Sequence, residues 1–294
     1  MTTSVDRFEP APPPGGGRRD DLIRRLTFEI VPITSIDQAI ADLPSAATVS
    51  VTCSPVKGIP ETMSLTDQLR RAGHDVIPHL AARMVSGPQE VAEIAGWLRN
   101  EGIERAFIIG GDADPARGPH TDAASFMRAL LDADPGLTAV GFGAYPDGHA
   151  AIPDAALDRA IHEKAGILAE AGVDAWASTQ MCFDPNLIRA WLTRVRIEGF
   201  TAPVHLGLPG VVDRSRLIKL GVRLGIGTSL SYLRKNRSAV GSLLSRSTYD
   251  PDALLTPLAT DLAPLGVEAI HCFTFNQVEA TQAWRREALA TVGN

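Results

Sequence analysis

Short apolar runs rich in β-branched and aromatic residues alternate with longer stretches of helical period along most of this chain. Eight such runs occur, at 27–31, 48–52, 75–79, 105–109, 138–145, 174–180, 204–208 and 269–275. Most are apolar at successive rather than alternate positions, the pattern of parallel strands covered on both faces. Between them, apolar residues at three- and four-residue steps mark helices. In 154–171 these are Ala156, Ala160, Ile161, Ile167 and Leu168, with Asp154 as the cap. A second helix is predicted to open at Asp184-Pro185 and to end at Glu198-Gly199. The stretch 209–267 is too long for a structureless loop and is expected to hold further helices. Eight successive βα units predict a single (β/α)8 TIM barrel.

Composition sets the boundaries. Residues 1–19 include Pro12-Pro13-Pro14, Gly15-Gly16-Gly17 and Arg18-Arg19, too little apolar surface to offset chain ordering. They are expected to be a disordered tail that adds nothing to stability, leaving 20–294 as the barrel. A net charge of −6, from 28 basic and 34 acidic residues, argues against a nucleic-acid partner. No run approaches the ~18 apolar residues of a membrane helix. Asp6, Glu9 and the Pro/Gly run do not resemble a secretory leader. Cys53, Cys182 and Cys272 lie far apart with no CxxC spacing and read as reduced, buried thiols. The expectation is a cytoplasmic protein.

Chemistry is sought at the C-terminal ends of the strands, where a barrel of this kind carries it. Polar residues there are Glu29, Thr52, His79, Asp112, Tyr145, His149 and Gln180. Glu29 is hardest to explain as structure, because a buried, unpaired carboxylate costs several kcal/mol and normally shifts its pKa. Each of the others has a structural explanation. Asp112 could cap the next helix or close the turn after Gly110-Gly111. His79 and His149 could be core or turn histidines, Thr52 and Gln180 could satisfy backbone groups, and Tyr145 could pack the wall. Seven such residues at the strand ends of one barrel point instead to a shared site. Other chemistries fit less well. No GxGxxG opens a helix after the first strand, no Walker loop is present, and no lysine lies in a predicted strand. No HxH or HExxH spacing supports a metal site. Arg234, Lys235 and Arg237 read as a solvated helix face.

The order of these residues resembles the methylenetetrahydrofolate reductase family over most of the barrel. The matches are Phe28-Glu29, Ser50-Val51-Thr52, Pro78-His79-Leu80, Gly111-Asp112, Ala144-Tyr145-Pro146 with His149, Thr179-Gln180 with Phe183-Asp184, and Phe273-Thr274-Phe275-Asn276. The resemblance implies reduction of 5,10-methylenetetrahydrofolate to 5-methyltetrahydrofolate in one-carbon metabolism and methionine biosynthesis. NADH or NADPH supplies the hydride, normally through FAD. It implies Glu29 as the acid that opens the folate ring and Asp112 as the carboxylate facing the resulting cation. Gln180 matches a residue binding pterin and nicotinamide in turn, while Thr52, His79, Tyr145 and His149 match positions lining the flavin. A raised carboxyl and an ionised one in different surroundings can divide acid and charge-stabilising work in this way.

The departures are equally specific. Gly110 stands where the family has arginine, and Leu168-Ala169-Glu170 where it has basic residues. Thr121-Asp122-Ala123-Ala124 lacks the aromatic that covers the flavin, Asp213 falls near the place of a stacking Phe, and Gln277 replaces an arginine. These losses imply that FAD is held weakly or not at all, with hydride passing directly from nicotinamide to folate. Two other readings are a barrel lyase or hydrolase holding a divalent metal with Glu29, Asp112 and a histidine, and a catalytically idle folate- or nucleotide-binding relative.

Overall fold

In this computed structural model, which describes residues 17–213, 215–217 and 248–290, eight parallel strands close into a barrel in chain order. They are β1 (Leu26–Ile30), β2 (Thr48–Val51), β3 (Asp75–Ala81), β4 (Arg105–Ile109), β5 (Ala139–Ala144), β6 (Asp174–Thr179), β7 (Val204–Pro209) and β8 (Val267–Phe273). Each coincides with an expected run, because strands buried on both faces leave uninterrupted apolar segments.

The described helices are α1 (Arg18–Arg24), α2 (Ile36–Ala41), α3 (Gly58–Arg71), α4 (Pro88–Asn100), α5 (Ala123–Asp132), α6 (Asp154–Glu170), α7 (Pro185–Ile197), α8 (Asp252–Leu258) and α9 (Val278–Ala290). Asp184 caps α7 as expected, its Oδ1 accepting from Asn186 N at 2.9 Å. Gly199, just beyond the helix, has φ +86°. Asp154 does not cap α6. It is the first helical residue, and Pro153 at the cap position has no side-chain acceptor to offer.

The expected tail boundary also moves. Arg18 and Arg19 belong to α1, where Arg18 Nη2 donates to Val267 O at 2.5 Å and Arg19 pairs with Asp252. Both partners come from the far end of the chain. Residues 1–16 of that tail lie outside the described residues, as do Arg234, Lys235 and Arg237. Of the helices expected between the last two strands, α8 is described.

Alternation divides the strand residues between two cores. Phe28, Ile30, Val49, Val51, Ile108, Phe142, Leu206 and Ile270 belong to the large apolar cluster shared with the helices. Their neighbours in sequence face the barrel axis. Combining this alternation with the strand register stacks the inward residues in layers drawn from alternate strands. From the N-terminal side upward these are Thr27, Ile77, Gly141 and His205, then Ser50, Phe107, Ser178 and His271, then Glu29, His79, Gly143 and Gly207. Thr52, Ile109, Gln180 and Phe273 follow at the mouth.

The lower interior is filled by Ile77, Phe107 and Trp176. Gly141 makes room for them, since a Cβ there would lie 2.2 Å from Trp176 Cε2 and 2.5 Å from Phe107 Cδ2. Overpacking of this kind costs about 1–3 kcal/mol. Gly141→Ala is therefore expected to lower the unfolding free energy by that amount, read as an earlier urea midpoint. An unchanged midpoint would contradict the packing.

Candidate active site

Polar groups take over where the apolar filling stops. Glu29, 8% exposed, sits one residue from the end of β1, its Oε2 2.8 Å from His271 Nε2 and 4.0 Å from His79 Nε2. The carboxylate is therefore not buried alone, contrary to the sequence expectation. If ionised it accepts from Nε2–H, and if protonated it donates to the bare nitrogen. His79 is bonded through Nε2 to Ser50 Oγ at 2.6 Å and lies 4.7 Å from the Phe107 ring. Burial, with the nearby His271, holds its pKa well below the usual imidazole range, so it is neutral. Gly143 and Gly207 complete the layer of Glu29 and His79 without side chains: the Tyr145 phenol closes over the first, and the second lies against Thr179 O and the Phe273 ring, where a Cβ would not fit.

Above this layer stand the other expected site residues. Gln180 Oε1 accepts from Met181 N at 2.9 Å, leaving its amide nitrogen without a partner among the described residues. Thr52 Oγ1 is buried with no hydrogen bond. The hydroxyl of Tyr145 lies 3.5 Å from where a Cβ on Gly143 would be, so the phenol leans into the barrel. Burial and the charge of Asp112 raise the pKa of Tyr145, which keeps the phenol protonated. His149 packs edge-on to Tyr145 at 5.2 Å, and its Nδ1 accepts from Ala151 N at 3.2 Å, a turn-stabilising contact.

Asp112 is exposed on the loop after β4 and makes no hydrogen bond or ion pair with a described residue. The helix-cap explanation fails for it, because Asp122 caps α5 through Ser125 N at 2.8 Å. Gly111 carries the chain past β3 at φ +83°, where a Cβ would come within 2.9 Å of Ala81 Cβ. Arg83 fastens the same loop by donating to Ala113 O at 2.7 Å and Thr121 O at 3.3 Å, and by pairing with Asp114 at 3.2 Å.

A clamp from the end of β8 fixes the height of Glu29. Thr274 Oγ1 donates to Glu29 O at 2.5 Å, while the Asn276 amide accepts from Val31 N and donates to Val31 O, both at 2.9 Å. Phe275 and Asn276 both have positive φ, 49° and 64°. Strained backbone of this sort persists where its surroundings over-determine it.

No family profile matches the sequence. Among solved structures, an uncharacterized protein from Clostridium thermocellum that binds two copies of 5-methyl-5,6,7,8-tetrahydrofolic acid is similar at a TM-score of 0.57. The two are 13% identical, over 93% of this chain and 99% of the other. The likeness is one of fold. A candidate phosphonomutase from Burkholderia cenocepacia (TM-score 0.46, 16% identity, 91% and 94% covered) is more distant. So is the apo form of a candidate deoxyribose-phosphate aldolase from Toxoplasma gondii (0.45, 12%, 92% and 98%).

Sequence reasoning missed His271, Ser50 and His205. Each faces the barrel from an otherwise apolar strand, and the available signal was that inward parity, shared with Glu29 and His79. A shallow depression of about 450 Å³ lies elsewhere, on α7 between Asn186 and Glu198, and involves none of these groups.

His205, half-buried, stacks on Trp176 at 5.4 Å and is neutral, its pKa pushed down to about 3 by desolvation first and then by His271 and Arg105. The unfolded value is about 6.5. Below that pH the unfolded chain takes up a proton that the folded chain refuses, so stability falls as pH falls, by up to ~1.4 kcal/mol per pH unit. His205→Gln is expected to flatten the pH dependence of unfolding free energy between about pH 6 and about pH 4. An unaltered slope would show that His205 titrates normally in the fold.

Proposed function

We propose that this chain reduces 5,10-methylenetetrahydrofolate to 5-methyltetrahydrofolate with hydride from NADH or NADPH at the polar mouth of the barrel. The observation that carries this reading is the stacking of Glu29 and His79, then Thr52 and Gln180, then Tyr145, beside the exposed carboxylate of Asp112. Binding of 5-methyltetrahydrofolate, the product of such a reaction, by the Clostridium thermocellum protein of like fold supports it.

In this mechanism Glu29 donates its proton to N10 of the substrate as the bond from N10 to the methylene carbon breaks. The methylene group is left as an iminium on N5. Asp112 favours that cation by opposite charge, and gains a water-poor setting when the pterin covers it. The methylene carbon then accepts hydride from the reduced nicotinamide, which yields the N5-methyl group and oxidised nicotinamide. A proton from solvent, passed through the contact with His271, restores Glu29. Gln180 offers its unpartnered amide nitrogen to the pterin.

The described residues fit FAD poorly. Gly110 has no side chain to replace the family arginine, and Arg83 is committed to the loop it fastens. His79 and His149 each spend a ring nitrogen on a protein contact. A hydrogen bond to a charged group is worth about 1.5–3 kcal/mol, so losing two or three weakens binding by orders of magnitude. Hydride is accordingly proposed to pass directly between nicotinamide and folate. Purified protein is expected to be colourless and active without added flavin. Stoichiometric FAD released on denaturation would contradict this.

Two variants test the carboxylates. Glu29→Gln is expected to retain folate binding and lose ~10²–10⁴-fold in kcat, the usual contribution of a general acid. Asp112→Asn is expected to lower kcat and weaken folate binding with an unchanged melting temperature, since Asp112 makes no hydrogen bond or ion pair with a described residue. Near-normal turnover in the first, or a fall in melting temperature alone in the second, would remove that residue from the mechanism.

A further inference from the structure

Glu29, His79 and His271 have a second capacity that involves no folate. One ligand atom from each lies within 4.8 Å of the others, and all three residues are buried. Two atoms bound to one ion at about 2.1 Å stand about 3.0–3.5 Å apart. The distances from Glu29 Oε2, 2.8 Å to His271 and 4.0 Å to His79, straddle that range. The three side chains come from β1, β3 and β8, so the barrel register rather than a loop sets their approach.

The surroundings offer polar groups suited to a cation. His79 presents Nε2 to the Ser50 hydroxyl rather than to a carbonyl, so that nitrogen can serve as an acceptor. Independently, Ser178 Oγ has no hydrogen-bond partner among the described residues although the residue is only 4% exposed, and it faces the axis in the layer of His271. An unpartnered buried hydroxyl of this sort marks a missing polar neighbour. Two imidazoles and one carboxylate suit zinc, cobalt, manganese or iron better than magnesium or calcium, which prefer oxygen ligands.

We propose that Glu29, His79 and His271 form a binding site for a first-row divalent cation. The cation replaces the proton held between Glu29 and His271, which is released to solvent, and Ser50 turns its hydroxyl away from His79. A carboxylate that ligates a cation is no longer a general acid, so cation and catalytic proton compete for Glu29. The site itself does not rest on the folate reading.

The test uses the full chain, stripped with a chelator and titrated with Co²⁺ in the absence of folate and nicotinamide. The expected result is saturable binding of one equivalent with a visible ligand-field band. His79→Ala and His271→Ala should each weaken it by ~10-fold or more with an unchanged circular dichroism spectrum. Should either variant fail to fold, His79→Gln and His271→Gln preserve volume and polarity while removing the imidazole ligand. No saturable binding by the stripped wild-type protein would overturn the proposal, as would binding that survives loss of both histidines. Folate reduction by a protein that binds no Co²⁺ would overturn it while leaving the reductase reading intact.

Discussion

A carboxyl group inside a closed barrel needs a partner, and Glu29 finds one 242 residues away in His271. That contact crosses the seam where the first strand meets the last. The same seam carries the bonds from Thr274 to Glu29 O and from Asn276 to both backbone groups of Val31. Barrel closure and placement of the acid are thus one event: if β8 docks out of register, Glu29 loses both its side-chain partner and its backbone anchor. The positive φ values at Phe275 and Asn276 are the conformational cost of turning the amide of Asn276 back onto β1.

The interior is consequently divided. Its lower part is close-packed by Ile77, Phe107 and Trp176, with His205 held neutral against the indole. In its upper part Gly143 and Gly207 make way for Tyr145, Thr179 O and Phe273, and the hydroxyls of Thr52 and Ser178 are left without partners among the described residues. Unsatisfied polar atoms and missing side chains in a protein interior are destabilising. Of the five buried side-chain polar atoms without a partner among the described residues, those of Thr52 and Ser178 lie in the upper barrel, the end where barrels of this type do their chemistry.

Much of this was legible in the sequence. All eight strands could be placed because burial on both faces writes them as continuous apolar runs, and Glu29 stood out as the charge that such a run cannot carry for structural reasons alone. What could not be read were contacts between distant segments. His271, flanked by Ile270 and Cys272, looks like any core histidine until β8 is laid beside β1. Arg18 and Arg19 looked like tail because their partners, Val267 and Asp252, lie at the other end of the chain. The grouping of Glu29, His79 and His271 escaped a search for local metal-binding spacings because each residue comes from a different strand. Asp112 was ambiguous for a local reason, and the capping of α5 by Asp122 removes one of its two structural explanations, the helix cap.

The central claim is that the polar mouth around Glu29 brings a reduced nicotinamide directly against the methylene carbon of a folate. The most direct measurement follows the hydrogen itself, with nicotinamide deuterated at the transferable C4 position and 5,10-methylenetetrahydrofolate incubated anaerobically with the purified protein. The expected product is 5-methyltetrahydrofolate carrying one deuterium in its methyl group, with no dilution by solvent hydrogen. A methyl group free of deuterium, or no methyl product at all, would contradict the account.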